Sequence, residues 1–87
     1  MIETIEEKVC EYFKLDINGL LSRSKKNALA RGYLWYILHY DLCLSVNTIA
    51  KRYERAKRVV NTLIAKTKYL VENQKVYKEH YEKIKSI

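Results

Sequence analysis

Apolar residues recur along this chain at three- and four-residue spacing, and no stretch alternates in the manner of a strand, so each structured segment reads as helix. From Ile2 to Lys14 the repeats are Ile5, Val9, Tyr12 and Phe13, with acids on the opposite side. Asp16 then stands as an N-cap, and Leu15 before it can staple to Leu20 in a short second helix. Ser22 to Asn27, SRSKKN, is polar and basic and reads as a loop. From Ala28 to Tyr40 the chain is apolar on nearly every side, the pattern of a central helix wrapped by its neighbours. Ser45 caps the next helix, with Leu44 and Ile49 placed as a staple. A further helix starts near Arg55 or Ala56 and runs to about Glu72. Asn73 is placed to cap a last one, carrying Val76, Tyr77, Tyr81 and Ile84 on one side. The expectation is an all-α fold of five to six helices, one domain over residues 1–87.

The spacing between residues 45 and 72 is the most informative. Ile49, Ala50, Tyr53, Val60 and Leu63 match the packing skeleton of a helix-turn-helix, whose second helix enters the DNA major groove. The side chains left to point outward are Lys51, Arg52, Arg55, Lys57, Arg58, Asn61, Thr62 and Lys66. Helix-turn-helix geometry aims the start of the second helix at base edges, here Ala56, Lys57, Arg58, Asn61, Thr62 and Ala65. Lys57 or Arg58 can donate to guanine O6 and N7, and Asn61 can pair bidentately with adenine. Lys51, Arg52, Arg55 and Lys66 are phosphate candidates.

Charge sharpens this reading. The net charge is +7. Residues 1–16 carry five acids and two bases, whereas residues 42–68 carry seven bases and one acid. Residues 17–41 add four bases, Arg23, Lys25, Lys26 and Arg31, against one acid. A basic excess focused on the helix-turn-helix region implies a polyanionic partner, duplex DNA, with replication or transcription proteins as further partners.

Other chemistries find little support. Cys10 and Cys43 are too few for a disulfide framework and no signal peptide precedes them, which points to a reducing cytoplasm. The initial Met and the helical pattern to the end favour a whole chain. The apolar run from Tyr33 to Leu44 is broken by His39 and Asp41 and falls short of the ~20 residues of a membrane span. His39 and Cys43 have a spacing that could offer two zinc ligands, with Cys10 and His80 as conceivable partners, but no CxxC or HxxxH pair accompanies them and core positions fit better. Tyr33, Tyr36, Tyr53 and Tyr81 are expected to fill the core with hydroxyls at its edge. No nucleophile–base–acid set or phosphate-cradling glycine loop is present, so no catalysis, cofactor or metal is expected.

Order and residue types resemble the C-terminal DNA-binding domain of the bacterial replication initiator DnaA, a fold related to the Trp repressor. The resemblance runs from about Ile5 to Ile84. It is carried by VCEYFKLDINGLLS, by the basic loop SRSKKN with ALAR, by LSVNTIAKRY and by VENQKV. It implies that Arg23, Lys25 and Lys26 lie in a loop that enters the minor groove or neutralises phosphate, and that Arg31 contacts phosphate. Two departures stand out. Glu54 and Arg55 replace the family's turn glycines, and Ala56-Lys57-Arg58-Val59-Val60 replaces its Asp-His-Thr-Thr-Val signature. The family's base sequence is therefore not expected, and no GxxxxGK[ST] loop is present for a nucleotide. A rival reading is a protein-interaction module that mimics or regulates the initiator without reading DNA.

Overall fold

A computed structural model describes all residues, 1–87, as six α-helices and no strand. The helices are α1 (Ile2–Phe13), α2 (Ile17–Leu21), α3 (Ala28–Tyr40), α4 (Val46–Tyr53), α5 (Lys57–Asn73) and α6 (Lys75–Ser86). A single 3-10 turn, Lys25–Asn27, precedes α3.

The boundaries follow local chemistry. Asp16 accepts a hydrogen bond from the Gly19 N–H at 2.6 Å and starts α2. Ser45 accepts from the Thr48 N–H at 3.1 Å and starts α4. In both cases a side-chain oxygen satisfies an amide that the helix itself leaves free. α1 and α4 end with left-handed residues, Lys14 (φ 57°) and Glu54 (φ 53°). The following N–H turns back into the helix each time: Leu15 donates to Cys10 at 2.9 Å and Arg55 to Ala50 at 2.9 Å. The last junction differs from expectation. Asn73 ends α5 rather than capping α6, because its amide donates to the Tyr69 carbonyl at 2.8 Å and stays on the α5 surface. Gln74 makes the junction in extended backbone.

The residues from Ala30 to Leu38 are all buried, so α3 is the axis of the fold. It packs on α1, α2, α4 and α5, while α6 closes the far side against α1 and α5. Trp35, Tyr33, Leu34, Ile37 and Leu38 from α3 join Val9, Leu20, Ile49, Val60, Ile64, Val71 and Ile84 in one cluster. Burying such side chains contributes about 1.5–3 kcal/mol each, which is why the one helix with no polar face lies at the centre.

The tyrosines behave as amphipathic core residues. Tyr33 and Tyr36 are buried, and Tyr53 and Tyr81 half-buried. Tyr33 donates to the Tyr77 carbonyl at 2.8 Å, Tyr53 to Glu6 at 2.6 Å and Tyr81 to Asp41 at 3.0 Å. Cys43 departs from its expected place in the core. It is exposed, in left-handed backbone (φ 58°), in the segment between α3 and α4. His39 is half-buried and donates from Nδ1 to the Leu44 carbonyl at 2.7 Å.

Candidate nucleic-acid interface

α4 and α5 are joined by Glu54, Arg55 and Ala56 alone. Ile49 and Ala50 of α4 and Val60 of α5 are buried, with Tyr53 and Leu63 half-buried at the edges. The inward stripe of α5 continues through Ile64, Thr67 and Val71. At 100° of rotation per residue, a helix with that stripe inside must turn residues 58, 62 and 65 outward. Arg58, Asn61, Thr62, Ala65 and Lys66 are all exposed.

The start of α5 is electrostatically unusual. Ala56 provides no side-chain cap, and the first turn holds Lys57 and Arg58 and no acid. Free amides and the helix dipole make this end positive, so two cations there repel it and an anion would complement it.

The loop between α2 and α3 lies beside this helix. Arg31, Arg58, Thr62 and Lys66 line a hollow of about 410 Å³ floored by Ala28, Val59 and Leu63. Lys25 and Lys66 line an adjoining hollow of about 270 Å³. Neither lining contains a carboxylate. Ion pairs are confined to the terminal amino group with Glu3, Arg52 with Glu3 and Lys85 with Asp41. Arg23, Lys25, Lys26, Lys51, Lys57, Arg58 and Lys66 are therefore exposed cations without an acidic partner.

Three arginines are placed differently from their sequence reading. Arg31 was the phosphate contact implied by resemblance, but it is only 6 % exposed. Its guanidinium donates to the Ser22 carbonyl at 2.5 Å and the Ser24 carbonyl at 2.8 Å, while Nε is buried without a partner. It lies beneath the loop because α3 begins where the loop ends, and the guanidinium reaches back under it. Arg55, another phosphate candidate, is half-buried. It donates to the Leu21 carbonyl at 2.5 Å and lies over the Trp35 ring at 5.8 Å. Arg52 remains exposed but turns to Glu3 of α1, at 2.8 Å.

These placements perturb the cations. Burial, then the neighbouring Arg55 charge, push Arg31 below the ordinary arginine value. Burial and the charge of Arg23 do the same to Arg55. Two guanidinium groups, Arg31 and Arg55, thus meet backbone carbonyls at the loop with no carboxylate paired to either.

The apolar floor of the hollows is a feature that the helical spacing alone does not single out. Val59 is 47 % exposed beside Arg58 and Thr62. Its place was recoverable from helical rotation, since it lies one residue from buried Val60 and hence a quarter-turn off the inward stripe. No three His, Cys, Asp or Glu side chains converge as a metal set, and no helix is long and apolar enough to cross a membrane. Compared with known protein families, curated proteins and solved structures, the chain matches none.

Proposed function

We propose that this chain binds duplex DNA, with α4, its three-residue turn and α5 acting as a helix-turn-helix of the DnaA C-terminal, Trp-repressor-like type. α5 enters the major groove. Lys57, Arg58, Asn61 and Thr62 face base edges there. Arg23, Lys25 and Lys26 follow the adjacent backbone or minor groove, and Lys51 and Lys66 meet phosphates. Val59 offers a methyl surface of the kind that meets a thymine methyl. Control of replication or transcription is the process such binding serves.

One observation carries this reading. Lys25 of the loop and Lys66 of α5 line one hollow, which adjoins a second lined by Arg58, Thr62 and Lys66, and the exposed cations there form no ion pair. A surface that served only solubility would intersperse both signs. Here the positive end of an uncapped helix adds to the same field.

The test is titration of the full chain with a labelled duplex over a range of salt. If about six phosphates are neutralised, log K should fall against log salt with a slope near −5. An absence of duplex binding at low salt would defeat this reading and leave the protein-interaction module in its place.

A further inference from the structure

We propose that Arg31 and Arg55 are positioning residues that hold the loop of residues 22–27 against α5, so that loop and helix meet a duplex as one preformed surface. The role rests on the DNA reading above. It assigns these two arginines no contact with DNA.

The geometry is specific. Surface loops ordinarily leave their carbonyls to water. Here the carbonyls of Leu21, Ser22 and Ser24 accept from guanidinium groups rooted in two other elements, the start of α3 and the α4–α5 turn. Both arginines reach Ser22, Arg31 at 2.5 Å and Arg55 at 3.5 Å. The Asn27 amide adds a tie to the Gly19 carbonyl at 2.9 Å. The loop is therefore pinned from beneath while Arg23, Lys25 and Lys26 remain exposed above.

The choice of arginine is informative. Two like charges close together, both partly desolvated, are a poor device for stability alone. An arginine fork is rigid and planar, however, and spans two carbonyls with fixed geometry. Holding the loop this way moves its ordering cost from binding to folding, which strengthens binding without any added contact. Arg55 also ties the loop to the turn that sets where α5 begins. Loop and helix cations then keep a fixed separation.

The salt slope of duplex binding separates positioning from phosphate contact. Arg31→Met and Arg55→Met keep length and remove the donors. Arg31→Lys keeps the charge and part of the donation. Lys25→Ala serves as the phosphate-contact control. Each is titrated as the full chain, at a temperature where circular dichroism shows it folded. Arg31→Met and Arg55→Met should weaken duplex binding about tenfold or more with the wild-type salt slope, through lost preorganisation. Lys25→Ala should instead lower the slope by about one. Arg31→Lys should recover part of the affinity. Amide exchange at residues 23–27 should quicken in Arg31→Met while the middle of α5 is unchanged.

Two outcomes overturn the role. A slope reduced by about one in Arg31→Met would make Arg31 a phosphate contact. Unchanged affinity in the folded variants would make both arginines supports of the fold alone. A wild-type chain that binds no duplex would instead remove the DNA reading, and this role with it.

Discussion

Gly32 of α3 lies directly against the Thr67 hydroxyl of α5: a Cβ at position 32 would overlap the Thr67 oxygen and come within 3.5 Å of Leu63. The absence of a side chain at Gly32 lets the central helix and the proposed recognition helix approach closely. This crossing sets how far α5 stands from the core, and so how its outer face is presented. Gly32→Ala should therefore destabilise the protein by about 1–3 kcal/mol through overpacking. The melting temperature should fall by about 4–8 °C per kcal/mol for a domain of this size. Thr67→Ala removes the nearest obstacle, so the double variant should lose less than the sum of the two singles. Additive losses would mean that the obstruction is not the Thr67 hydroxyl.

The turn between α4 and α5 contains a second test. Glu54 adopts left-handed backbone (φ 53°, ψ 50°), a conformation in which a Cβ is unfavourable and glycine is not. Glu54→Gly should raise stability by up to about 1 kcal/mol, whereas Glu54→Ala, which keeps the Cβ, should give no such gain. Thermal melts of the two variants decide it, and equal melting temperatures would refute the argument.

Specificity and affinity should separate by residue. Arg58→Ala and Asn61→Ala should each cost about 1–3 kcal/mol on a preferred duplex and little on random DNA. Lys66→Ala should weaken all duplexes alike and lower the salt slope by about one. Under the proposed DnaA-like reading, Ala56-Lys57-Arg58 takes the place of that family's Asp-His-Thr, so preference for a DnaA box over a scrambled duplex should be below about tenfold, or 1.4 kcal/mol. Competition binding measures both. A hundredfold preference for the box would show that the reading residues lie elsewhere.

Alkaline pH should unfold the protein through its tyrosines. Burial, then the neighbouring Tyr81, Glu72, Tyr40 and Asp41, push Tyr36 up to about 12 from an ordinary 10. Burial also raises Tyr33, Tyr53 and Tyr81, and the Glu6 carboxylate that accepts from Tyr53 adds to its shift. The folded state thus holds these protons more tightly than the unfolded chain. Their stabilisation is complete below the unfolded value near 10 and is lost as pH rises above it, for Tyr36 through about 12. Helix content followed with pH should fall in that window as tyrosinate absorbance appears. Full ionisation with the helices intact would contradict the assignment.

Much of this architecture is written locally in the chain. Asp16 and Ser45 act as caps through amides three residues away, and the largely apolar stretch from Ala28 to Tyr40 forms the central helix. Helical period, capping and the focus of basic charge depend on neighbours within a few residues, so they can be read in order. The outward placement of Arg58, Asn61, Thr62 and Lys66 follows from the same rotation.

The roles of Arg31 and Arg55 required the tertiary structure. In sequence both are exposed-looking cations beside a basic region. Whether a guanidinium meets water or a carbonyl depends on which distant backbone packs against it, and Arg55 reaches Leu21 across 34 positions. The same holds for Gly32, whose missing side chain matters only because α5 crosses there, 35 residues further along at Thr67. Hydrogen-bond partners and close approaches between helices are set by how elements pack, and periodicity within one element carries no record of it.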